Sequence, residues 1–203
     1  MNRILVICAG LAAFAVGIAV GIVTRSPSTV ELESGTLLDP PRAIAPFQLG
    51  QSPSVFSNDN LNGHWQLLFF GFTRCPDVCP TTLQLLSNAR EALAADFDAA
   101  DLPKITLVSV DPEFDTQERL NKYTEFFGPG VQGVVGEPDQ LQAFSQDLGV
   151  LYKKIPLAND DYTMDHSGAV IVIDPEGRWR AVFSPPLRQQ TLTDDLQLLI
   201  ENF

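Results

Sequence analysis

The chain is short of the residues that carry most side-chain chemistry: 203 residues hold three cysteines, two histidines and thirteen lysines and arginines against twenty-five acidic side chains. Eleven of the basic residues and all of the acidic ones follow residue 25, a surplus of fourteen negative charges that makes nucleic acid an unfavourable partner. The surplus reads as a solubility feature rather than a docking surface for a basic partner. No glycine loop is patterned to cradle phosphate, no Ser-His-Asp grouping stands out and no internal repeat is present. What chemistry the chain has must therefore pass through very few side chains.

Charge is also missing from residues 4–23, which carry no strong polar group and at the helical rise are long enough to cross a bilayer core. They read as one N-terminal transmembrane helix, with residues 1–25 as the anchor. A cleaved signal segment is the rival reading, given the short n-region with Arg3 and small residues such as Ala19 and Gly21. The run is long for a signal segment, and Thr24 and Arg25 offer no clean cleavage pattern. Cys8 falls too early for a lipoprotein and reads as a small membrane residue. The segment is neither Arg-rich nor Ser-rich, unlike a transit peptide. A bacterial inner-membrane protein, single-pass, with its soluble domain in the periplasm is the expectation. Arg3 against Arg25 gives orientation only a weak vote.

Residues 26–42, with four prolines and glycines among them and no hydrophobic period, read as a flexible tether, and 43–203 as the folded domain. Short apolar runs at 44–48 and 53–56 precede a strong one at 65–72. A helical pattern follows over 80–96, a strand over 105–110, helices over 116–127 and 137–148, strands over 168–173 and 179–183, and a last helix over 188–202. Asp174 to Gly177 reads as the turn joining the last two strands. Asp115 is read as the N-cap of the 116–127 helix, with Glu118 completing a capping box. Two apolar strands separated by a helix are how buried parallel neighbours read, whereas the last two look like an antiparallel hairpin. The class is α/β: a thioredoxin-like mixed sheet flanked by helices.

The informative run is GFTRCPDVCP, residues 71–80, at a strand-to-helix junction. Pro80 suits the first helical position, which puts Cys79 at the helix N-terminus and Cys75 about a turn earlier. The helix terminus favours thiolate. Three residues separate the cysteines, so the common two-residue redox spacing is not what is written. A structural disulfide, a redox-active pair and a metal site all remain open. A third ligand would discriminate, and His166, in TMDHSG before a strand, could supply it. Two thiolates and an imidazole suit Cu(I) and can hold Cu(II), whereas zinc would want a fourth ligand such as Asp77 or water. His64 reads as a turn residue. Tyr162 and Met164 could shield the site, Met164 as a weak thioether ligand, although packing is the simpler role. Thr73 and Arg74 suggest peroxidatic chemistry at Cys75, but a second thiol four residues on argues against it.

Together, FGFTRCPDVCPTTL at 70–83, VDPEFDT at 110–116 and DHSGAVIVIDPEG at 165–177 resemble the Sco/SenC family of copper-binding proteins, over about residues 43–203. The resemblance implies a membrane-tethered thioredoxin-like domain that helps metallate the copper centre of cytochrome c oxidase. It implies copper, as Cu(I), Cu(II) or both, on Cys75, Cys79 and His166. Its motif aspartates are Asp111 and Asp115, for which strand-ending and capping are preferred; with Asp77 and Asp165, beside the proposed ligands in sequence, they are the candidates for a supporting shell. Partners would be the copper-receiving subunit of the oxidase, another copper chaperone, and the inner membrane. The chain would be a carrier rather than an enzyme with turnover. Its alternative is a thiol-disulfide oxidoreductase acting on the cysteines of that target. One departure is Arg74, where many members place a histidine.

Overall fold

The computed structural model describes residues 30–51 and 55–203. The segment 4–23 lies outside them, and among the described residues no helix is long and apolar enough to cross a membrane.

In chain order the elements are β1 Gly35–Ala43, β2 Gln48–Leu49, β3 Phe56–Ser57, a 3-10 turn Asn58–Leu61, β4 Gln66–Gly71, α1 Val78–Leu93, β5 Lys104–Ser109, α2 Gln117–Thr124, a 3-10 turn Glu125–Phe127, β6 Val131–Val134, α3 Pro138–Asp147, β7 Tyr152–Pro156, β8 Tyr162–His166, β9 Val170–Ile173, β10 Arg178–Phe183 and α4 Gln189–Asn202. Six strands form the central sheet in the order β1-β10-β9-β4-β5-β6. β4 runs parallel to β5 and β5 to β6, while β9, β10 and β1 are antiparallel to their neighbours. This is the thioredoxin-like mixed sheet. β7 and β8 pair only with each other, as a separate hairpin.

Alternation along β4 divides the core. Phe70 looks towards α3, where it packs on Phe144, and Phe144 stacks on Phe47. Phe69 and Gly71 look to the opposite face, towards His166 and the α1 cysteine. Both phenylalanines are fully buried, each contributing roughly 1.5–3 kcal/mol of apolar burial. α1 packs against α4. The Asp174 turn is as the sequence predicts: Gly177 adopts φ 73° and donates its N–H to the Asp174 carbonyl at 2.9 Å.

Several expectations are corrected. Residues 35–42 are not tether: they are edge strand β1, paired with β10 through a bulge between Leu37 and Arg42 that absorbs Pro40 and Pro41. The preceding residues are fastened to α4. The buried carboxylate of Asp195 accepts from the N–H groups of Glu33, Ser34 and Gly35 and from the Ser34 hydroxyl, at 2.7 to 3.2 Å. Asp115 is not the N-cap of α2. Thr116 is, its side chain accepting from Arg119 N–H, while Asp115 is buried and bonded elsewhere. α1 begins at Val78 and ends at Leu93, so Pro80 is its third residue, still within the turn whose N–H groups lack partners. The runs at 44–48 and 53–56 contribute only the two-residue strands β2 and β3, part of the second run lying outside the described residues.

Candidate metal centre

β4 and β5 run parallel and release their loops side by side, with Val110 N–H donating to the Gly71 carbonyl at 2.8 Å. The loop after β4 carries Cys75, and α1 follows with Cys79 in its first turn. Cys75 is partly exposed and Cys79 fully buried, and both are free. From the far end of the chain β8 brings His166. Ligand atoms of Cys75, Cys79 and His166 all lie within 4.8 Å of one another, and among the described residues no carboxylate joins the group. Cys79 Sγ lies 3.5 Å from His166 Nε2.

The imidazole is poised as a ligand. Its Nδ1 lies 3.1 Å from the Ser167 carbonyl, which can only accept, so Nδ1 carries a proton and Nε2 is the nitrogen turned to the sulfurs. Phe69 and Phe72 meet the ring edge-on, both with centroids at 6.0 Å. The thiols are unequal. The Cys75 thiol is lowered to about 4, first because the Cys79 side chain donates to its sulfur, then through His166 and the backbone N–H groups of Cys79 and Asp77, against the opposing effect of burial. The Cys79 N–H lies 3.3 Å from that sulfur. Cys79 is raised, first by holding the proton shared with Cys75 and then by burial. One sulfur is thus a thiolate at neutral pH and the other its proton donor.

Of the four aspartates, two support the loops. Asp115 accepts from Thr73 N–H at 3.1 Å, from the Thr73 hydroxyl, and from the Ser109 hydroxyl at 2.7 Å, tying the cysteine loop to the end of β5. Asp111 accepts from the Tyr162 hydroxyl at 2.7 Å and from Arg74 at 3.2 Å, tying the His166 hairpin to the same place. Asp77 is exposed, its carboxylate accepting from Thr81 at 3.4 Å, while its backbone N–H serves Cys75. Asp165 is exposed, on the face of β8 opposite Tyr162, Met164 and His166. Met164 packs against the core. His64 sits before β4, bonded to Gln66 at 3.0 Å, as a turn residue would be. Thr73 and Arg74 are engaged by Asp115 and Asp111, not by Cys75.

Sequence reasoning missed Gly71. A Cβ there would stand 2.9 Å from Cys79 Sγ and 3.1 Å from Leu107, so the buried sulfur occupies the space a side chain would take. The available signal was a glycine closing an otherwise apolar run four residues before the first cysteine.

Fold and site together define a thioredoxin-like domain bearing two cysteines and a histidine arranged as a soft-metal centre. The SCO1/SenC family model matches residues 36–201, and the chain belongs to that family. A SCO2-like protein of Rickettsia prowazekii is 36% identical over 141 residues, 68% of this chain and 67% of its own. Among solved structures, apo Sco1 from Thermus thermophilus superposes with a TM-score of 0.73 at 33% identity, covering 85% of this chain and 99% of that one. Copper-bound ScoI from Bradyrhizobium japonicum gives 0.66 at 35% identity, covering 76% and 98%. The family match begins within β1, consistent with residues 35–42 belonging to the domain.

Proposed function

We propose that this chain carries one copper ion on Cys75, Cys79 and His166 and delivers it to the copper centre of cytochrome c oxidase, from the periplasmic face of a bacterial inner membrane to which residues 4–23 fasten it. The observation that carries the reading is the convergence of two sulfurs and one imidazole nitrogen within 4.8 Å. This donor set suits copper better than zinc, because no carboxylate of the described residues completes a tetrahedron. The relation to copper-bound ScoI supports the choice of metal. The oxidase as recipient and the periplasmic location rest on the family resemblance and on the apolar run.

The unequal thiols suit loading and release. Cys75, already ionised and partly exposed, meets incoming copper first, and Cys79 gives up its proton as the metal is bound. His166 closes the site through Nε2. Release runs by ligand exchange, with a partner's thiolate entering at the exposed Cys75 side while the buried Cys79 lets go last.

The test is copper titration of the reduced full chain, followed by metal analysis and visible absorption, beside His166→Ala and the double variant Cys75→Ser/Cys79→Ser. One copper per chain, with sulfur-to-copper charge transfer altered in His166→Ala, is the expected result. Stoichiometric copper in the double variant would overturn the reading. The second reading, a thiol-disulfide oxidoreductase, is favoured by the free dithiol with one ionised, accessible sulfur. It requires both cysteines but not His166, so a His166→Ala chain that keeps full biological activity would select it.

A further inference from the structure

Arg74 stands directly before Cys75, and its guanidinium is held between two aromatic rings, 4.2 Å from the Phe114 centroid and 4.4 Å from that of Tyr162. Each ring also carries a second cation: Arg119 lies 4.0 Å from the Phe114 centroid and Lys154 lies 3.9 Å from that of Tyr162. The result is a five-membered pile linked contact by contact, Lys154 to Tyr162, Tyr162 to Arg74, Arg74 to Phe114 and Phe114 to Arg119. Its members come from β7, β8, the cysteine loop, the turn after β5 and α2. Carboxylates brace it from the side. Arg74 pairs with Asp111 and Asp161, both at 3.2 Å, and Lys154 pairs with Glu113 at 2.5 Å. The Tyr162 hydroxyl donates to Asp111, which fixes the ring between the two cations.

This pile matters because β7 and β8 share no strand pairing with the central sheet. Tyr162 and His166 lie on the same face of β8, four residues apart, so whatever holds Tyr162 against Arg74 also holds His166 against the cysteines. A planar guanidinium can stack on two rings at once while its edge serves two carboxylates, whereas an ammonium cannot. We infer that Arg74 is a positioning residue: it sets how tightly the His166 hairpin is held to the cysteine loop, and thereby how readily His166 withdraws when the metal is handed on. The inference rests on the copper reading for its consequence, but the mechanical claim about the hairpin stands apart from it.

The experiment uses the full chain and two measurements. Hydrogen exchange of the metal-free, reduced protein reads the hairpin, and release of Cu(I) to a competing chelator reads the site. In Arg74→Gln, amides of 152–166 should exchange about tenfold faster while those of β4 and β9 are unchanged, and copper should leave about tenfold faster. His166→Ala should speed copper release with hairpin exchange unaltered. The double variant Arg74→Gln/His166→Ala should then release copper no faster than His166→Ala alone, because Arg74 acts through the imidazole. Unaltered hairpin exchange in Arg74→Gln, or effects on release that multiply in the double variant, would overturn the inference. So would Arg74→Lys restoring wild-type exchange, since charge without a planar face would then suffice. Should Arg74→Gln lose protection throughout the domain, Tyr162→Leu removes one ring of the pile and gives the same reading. A wild-type chain that retains no copper removes the copper reading, while the exchange data still decide the role of the pile.

Discussion

All six residues of β4, the strand that leads into the two cysteines, are buried, whereas neither strand of the hairpin that ends at His166 has a buried residue. The sulfurs are held by the core: β4 is paired on both sides, and Gly71 gives up its side chain to make room for Cys79. The hairpin that carries the imidazole is held by cations packed on rings and by the carboxylate of Asp111. A site so divided has one half that cannot yield without disturbing the domain and another that can open locally. Under the proposed role of copper carrier, the movable half is the histidine.

The largest effects belong to the sulfurs. Cys79→Ser should abolish stoichiometric copper retention, read by metal analysis after gel filtration, whereas His166→Ala should leave copper bound with an altered absorption spectrum. Next comes intrusion into the fixed half. Gly71→Ala should cost about 1–3 kcal/mol of stability in urea unfolding, because its Cβ meets a buried sulfur rather than a flexible chain end. Asp115→Ala, which leaves Thr73 N–H and two hydroxyls without their charged acceptor, should cost about 1.5–3 kcal/mol in the same assay. Alkylation of Cys75 by iodoacetamide gives a finer reading. With the thiol lowered to about 4, the rate should be nearly flat from pH 6 to pH 8, where an ordinary thiol near 8.5 would still be climbing. Removing a donor to the thiolate raises its pKa, so the profile should move to higher pH in Cys79→Ala, and by less in His166→Ala. The smallest effect belongs to Asp165→Asn on the exposed face of β8, which should leave both copper retention and the urea midpoint unchanged.

The parts of the molecule that announce themselves in sequence are those governed by burial and by scarcity. β4 and β5 show as apolar runs because both faces of the sheet are covered there. Cys75, Cys79 and His166 stand out because the chain has so few soft ligands to choose from. β1 was hidden by Pro40 and Pro41, which read as breakers but sit in a bulge at the sheet edge. β6 was hidden by Gly133 within it and by glycines on either side, which erase any hydrophobic period. The β7–β8 hairpin had no signature, since it is fastened by Lys154 pairing with Glu113 and by Tyr162 meeting Arg74 and Asp111, all from other segments. Asp115 was misassigned by one position, because a carboxylate before a helix reads as a cap until its three partners from β5 and the cysteine loop are seen. Arg74 was noted as a departure from relatives and as a peroxidatic candidate but not for its hold on the hairpin, because its contacts lie 37 and 87 residues away.

The grip of Asp195 on the residues just before β1 has a mechanical meaning. An edge strand pulled from its free end peels, one pair of bonds failing after another, and offers little resistance at any moment. Here a load arriving from the N-terminal side first meets four hydrogen bonds converging on one buried carboxylate, which share the tension and must part together. The strain is thereby passed to α4 and the helix it packs on, and the sheet edge is spared until that clasp fails.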